Sequence, residues 1–134
     1  KYIVMSSTKD TSTFELKSSL QLSDFVELLL EPLYKYQHLY LIRLGLHEAL
    51  VNAVKHGNKF DSSKIIKVKR IITPHWWVWI IQDQGQGMKQ DKRKFNLPKR
   101  IDSVNGRGLF IIKECFDDVR WSPKGNKLQL ALRR

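Results

Sequence analysis

Three short segments carry side chains whose types and spacing can do chemistry. The first is His47-Glu-Ala-Leu-Val-Asn-Ala-Val-Lys-His-Gly57. Glu48 and Asn52 stand four residues apart, so on a helix they share one face. Asn52 offers a neutral carbonyl oxygen to a hard cation such as magnesium. Glu48 can take a proton from an attacking hydroxyl. Lys55 can meet phosphate charge one turn later. A zinc-protease reading fails, because the second histidine of that motif would fall at Val51.

The second segment is Asp83-Gln-Gly-Gln-Gly87, directly after an apolar stretch. Asp83 can accept a hydrogen bond from a ligand amine there. Gly85 and Gly87 let a flat ring or a backbone come close. The third segment is Gly106-Arg-Gly-Leu109. Gly106, Arg107 and Gly108 open a predicted helix, whose free N–H groups bind anions. The lysine-serine/threonine signature of the common phosphate loop is missing. Taken singly, each segment also reads as something ordinary: a solvated helix edge, a turn, a glycine-capped helix start. Their order, with a basic stretch between the last two, favours one shared site. That stretch, Lys89–Asp102, has six basic and two acidic residues and is placed to fold over a polyphosphate.

The elements that must position these residues follow from hydrophobic spacing. Thr11–Lys17 reads as a strand. Ser18–Ser19 is expected to cap a helix running to about Tyr34, with Pro32 near its end. A second helix carries Leu39, Ile42, Leu46, Leu50 and Ala53 on one stripe and should end at Gly57. Ile65–Ile72 and Trp76–Ile81 read as strands joined by Thr73-Pro74-His75. The second of these is apolar on both faces, which fits either a central strand covered on both sides or a tryptophan docking surface. Gln82–Asn105 is a long polar loop of the kind that often carries function. Gly106–Phe116 is helical, with Cys115 facing the core. Asp118–Trp121 and Lys127–Leu132 form a closing hairpin. The economical arrangement is an α+β two-layer sandwich: a mainly antiparallel mixed sheet with its helices on one face.

Composition sets outer limits. At 134 residues the chain suits a single domain spanning 1–134. The net charge of +11 is uneven: residues 1–67 hold 9 basic and 7 acidic groups, residues 68–134 hold 15 and 6. Such a chain suits an anionic partner. The excess clusters near the basic stretch and the tryptophans pattern as strand, so nucleic acid is not the expected partner. One cysteine excludes an internal disulfide framework. No apolar run approaches the roughly 20 residues that span a bilayer, and no secretory pattern opens the chain. A cytoplasmic protein without membrane attachment is expected.

As a set, E-x-x-x-N-x-x-x-H-G, D-x-G-x-G and G-x-G-L over roughly residues 11–132 resemble the GHKL ATPase superfamily, and within it the small bacterial anti-sigma-factor serine kinases. The tail Glu114-Cys-Phe-Asp-Asp-Val119 resembles the family's continuation into its next strand. The resemblance implies a Bergerat-type sandwich with ATP and Mg2+ held under a lid at about 88–105. It implies Glu48 as general base, Asn52 as magnesium ligand, and Asp83 at the adenine amino group. Gly85 and Gly87 would shape the purine pocket, while Gly106 and Gly108 would present backbone to the phosphates. The implied reaction moves the γ-phosphoryl group to a serine of a STAS anti-anti-sigma partner. Members also bind an RNA polymerase sigma factor, often as homodimers. Two positions depart from the pattern. Asn126 replaces a common threonine after Gly125, keeping a hydrogen-bonding side chain. Ser103-Val104-Asn105 stands where kinase members can carry an arginine for the γ-phosphate; Arg107 lies inside the motif and need not point the same way, whereas a lid base, Arg100 or Lys99, is the expected substitute. That second departure supports an alternative: a nucleotide-responsive binding module with little or no kinase activity.

Overall fold

The computed structural model describes residues 2–8, 10–88 and 107–134. Among these residues six strands form one sheet: β1 (Tyr2–Ser7), β2 (Thr11–Lys17), β3 (Ile65–Ile72), β4 (Trp76–Gln82), β5 (Asp118–Trp121) and β6 (Lys127–Arg133). Their spatial order is β1-β2-β3-β4-β6-β5, and every pairing is antiparallel. Three α-helices among the described residues accompany it: α1 (Ser23–Leu30), α2 (Leu39–Asn52) and α3 (Arg107–Cys115). The result is the expected α+β sandwich. None of the described helices is long and apolar enough to cross a membrane.

Strand register explains how the layers meet. Phe14, Val68, Ile81 and Leu128 align across four strands, and all four are buried. Alternation sends the neighbouring row, Glu15, Lys67, Gln82 and Lys127, to the opposite face. The apolar face receives Phe25, Val26, Leu29 and Leu30 of α1 and Ile42, Leu46, Ala49 and Leu50 of α2, all in one hydrophobic cluster. Two polar side chains tie α1 to the sheet. Trp79 Nε1 donates to the Leu29 carbonyl at 3.1 Å, and Arg70 Nη1 to that of Leu28 at 2.8 Å.

Four expectations change. First, β1 precedes the predicted first strand. Secondly, α1 begins at Ser23, not after Ser19. Ser18 instead prolongs the sheet, its N–H donating to the Lys64 carbonyl at 2.9 Å, while Ser19 Oγ accepts the Gln21 N–H at 3.1 Å. The helix stops at Leu30, and a 3-10 turn, Glu31–Leu33, takes up Pro32 near its start. Thirdly, the stripe through Ala53 does not continue as α-helix: Ala53–Gly57 is a π-helical turn, closed by the Asn58 N–H on the Ala53 carbonyl at 2.8 Å. Fourthly, β4 is not fully covered on both sides. Trp79 and Ile81 are buried beneath helices, whereas Trp76, Val78 and Ile80 are half-buried on the other face. The Arg133 guanidinium lies 5.1 Å from the Trp76 ring centre. Cys115 faces the core as expected, and burial pushes its thiol pKa up.

Candidate functional site

Helix α2 forms because its apolar residues fall at three- and four-residue steps and bury one side against the sheet. That fixes the other flank, where Glu48 and Asn52 sit half-buried one turn apart. Glu48 reaches the start of α3: a Cβ on Gly108 would stand 3.1 Å from Glu48 Oε2. A Cβ there would crowd the carboxylate, so glycine at 108 gives Glu48 room beside the helix opening, where backbone N–H groups are free. The first and third motifs therefore meet.

The first and second motifs also meet, backbone against backbone. Gly57 ends the π turn, and a Cβ there would overlap the Asp83 carboxyl group. A Cβ on Gly85 would overlap the Gly57 carbonyl and come within 3.0 Å of Asp83 Oδ1. Asp83 lies just past β4 and is 9% exposed. Its Oδ1 accepts the Gly85 N–H at 2.8 Å. Burial raises the Asp83 pKa above its ordinary value; the Gly85 N–H and the charges of Lys124 and Lys64 pull it partly back. The carboxylate is thus a desolvated acceptor, strengthened toward any amine that reaches it.

The β5–β6 turn supports the same loop from the far side. The Asp83 N–H donates to the Asn126 carbonyl at 3.0 Å, and the Met88 N–H to that of Gly125 at 3.1 Å. Gly87 has φ of +91°, a conformation glycine adopts without strain, and its α-carbon lies against the Lys124 carbonyl. Asn126 supports the loop with both its backbone and its side chain. Its carbonyl holds the Asp83 backbone, while its Oδ1 accepts the Ser122 hydroxyl at 3.4 Å.

Glu48, Asn52, Asp83, Gly85, Gly87, Gly108 and Asn126 thus belong to one connected set of segments. Lys55 is half-buried in the π turn, and its charge adds to burial in lowering the His56 pKa. Gly106, the side chain of Arg107 and the expected lid beyond Met88 lie outside the described residues, as do Lys99, Arg100 and Ser103-Val104-Asn105.

Asn58 was not foreseen. It is wholly buried, with its Oδ1 accepting the Gln84 N–H at 2.7 Å and its Nδ2 donating to the Ile65 carbonyl at 3.0 Å. An asparagine after a helix-ending glycine reads as turn, and its partner lies 26 residues away.

Among the described residues no group of three His, Cys, Asp or Glu is placed to hold a metal. The donor set fits a cation held chiefly by phosphate oxygens and water, with Asn52 supplying one carbonyl, which is how magnesium is commonly held.

Residues 25–132 match the family of the histidine kinase-like ATPase domain, most of the chain. No curated protein matches it.

Proposed function

The chain belongs to the histidine kinase-like ATPase domain family, whose domains bind ATP, and from that premise we propose a protein serine kinase of the anti-sigma-factor type. It transfers the ATP γ-phosphoryl group to a serine of a STAS anti-anti-sigma partner and sequesters an RNA polymerase sigma factor. The observation that carries this reading is the convergence of Glu48, Asp83 and Gly108, the Glu48 carboxylate beside Gly108 and the Asp83 carboxyl against Gly57.

Each residue then has a task. Asp83 accepts a hydrogen bond from the adenine amino group, and Gly85 and Gly87 leave room for the purine. The backbone of Arg107 and Gly108 offers N–H groups to the phosphates at the opening of α3, and the motif assigns Gly106 and the Arg107 guanidinium to the same task. Lys55 adds positive charge. Asn52 would hold Mg2+, which when bound would neutralise charge across the phosphates. Glu48 takes the proton of the serine hydroxyl as its oxygen bonds to the γ-phosphorus. The bond from that phosphorus to the β–γ bridging oxygen breaks, and ADP leaves with the electron pair. Positioning and charge neutralisation supply most of the acceleration.

Incubation with γ-labelled ATP and a STAS protein tests the proposal. Phosphoserine on the partner, absent with Glu48→Gln, is the expected result. Partner binding without phosphoserine would favour the nucleotide-responsive binding module, for which Ser103-Val104-Asn105 is the motivating feature.

A further inference from the structure

Two adjacent residues at the end of the π turn engage three adjacent residues after β4. Gly57 packs on Asp83 and Gly85, while Asn58 holds Gln84 between them. The Gln84 side chain closes the ring, its Oε1 accepting the Ile65 N–H at 2.8 Å. Ile65, the first residue of β3, therefore has its N–H held by Gln84 and its carbonyl by Asn58. Both ends of the Asn58 amide are occupied by protein. Asn58 acts on the loop and not on a ligand.

Resting on the nucleotide-site reading above, we infer that Asn58 is a positioning residue for adenine recognition. By fixing the Gln84 backbone it sets where the Asp83 carboxylate stands, and so how sharply the site separates adenine from guanine. The physical ground is the geometry of a rigid clamp. Asp83 reads the ring amine by direction and distance, and a displacement of about 1 Å is enough to lose such an interaction. A side chain at 58 lacking either amide group removes the partner of the Gln84 N–H or of the Ile65 carbonyl, both held in part-buried hydrogen bonds, and the loop shifts to find water. A merely structural asparagine would lower stability and leave base selectivity alone.

The test compares Mg-ADP and Mg-GDP by calorimetry on wild type, Asn58→Ala and Gln84→Ala. Gln84→Ala removes the side-chain bond to Ile65 but keeps the Gln84 N–H on Asn58. Asn58→Ala is expected to reduce the ADP-over-GDP preference by about tenfold. Gln84→Ala should leave it within about threefold of wild type. A lower melting temperature in Asn58→Ala with an unchanged preference would overturn the inference. Should Asn58→Ala fail to fold, hydrogen exchange on the wild type decides. A Gln84 amide strongly protected in the free protein supports the clamp; one exchanging like open loop overturns it. If wild type binds neither nucleotide, the nucleotide-site reading falls, and this inference with it.

Discussion

Gly57 sits with its α-carbon against the Asp83 carboxyl group, so that a Cβ at position 57 would come within 2.7 Å of the Asp83 Cβ. The end of the second helix and the loop after β4 are thereby held at van der Waals range. Gly57→Ala is expected to push Asp83 out of place, weakening Mg-ATP about tenfold or more. Overpacking should cost about 1–3 kcal/mol of stability. Calorimetry and urea melts on the same preparations measure both.

Asp83 links function to pH-dependent stability. Burial places its folded-state pKa above the ordinary 3.8, so its charged form costs folding energy. That cost is absent well below the unfolded pKa, grows as pH rises through the folded pKa, and is complete above it. Asp83→Asn should therefore melt higher than wild type at neutral pH, with the gap closing as pH falls toward 3.8. Each 1 kcal/mol of difference corresponds to roughly 3–5 °C for a domain of this size. The same variant should bind ATP about tenfold more weakly, since a charged acceptor becomes neutral. Melting curves across pH that run parallel would contradict this account.

Glu48→Gln keeps the side-chain shape beside Gly108 and removes the proton acceptor. Phosphoryl transfer should fall about 10²–10⁴-fold, the usual worth of general-base catalysis. ATP affinity should stay within about threefold of wild type, because Glu48 is assigned to the reaction and not to holding the nucleotide. Single-turnover assays with labelled ATP, paired with calorimetry, separate the two effects.

What holds the fold is burial, and two substitutions show the contrast. Leu46 is 0% exposed in the core, and Leu46→Ala should cost about 2–5 kcal/mol. The Arg43–Glu27 pair is close, 2.5 Å, yet both side chains are more than 40% exposed. Glu27→Gln should therefore cost less than about 1 kcal/mol, and the loss should shrink with added salt. Denaturant midpoints measure both.

The sequence discloses α2, α3 and the strands β2 to β6 because their residues repeat at helical or alternating spacing. It hides β1 because all six residues of Tyr2–Ser7 are exposed, so no buried face imposes a pattern. It misplaces the start of α1 because Ser18 and Ser19 have capping chemistry, whereas tertiary pairing with Lys64 draws Ser18 into the sheet. The candidate site is similarly divided. Glu48, Asn52, Asp83 and the glycines are legible from local spacing. Asn58 is not, because its role exists only when Gln84 and Ile65 arrive beside it. The π turn is equally silent in sequence: Ala53–Gly57 continues the helical stripe, and the Asp83 that Gly57 seats against lies 26 residues further along the chain.

The convergence of three distant segments on one adenine nucleotide is tested most directly by titrating Mg-ADP into wild type and Asp83→Ala. The expected result is saturable one-site binding to wild type, reduced about tenfold or more in the variant. Equal affinity in both proteins, or no binding to a folded wild type, would contradict it.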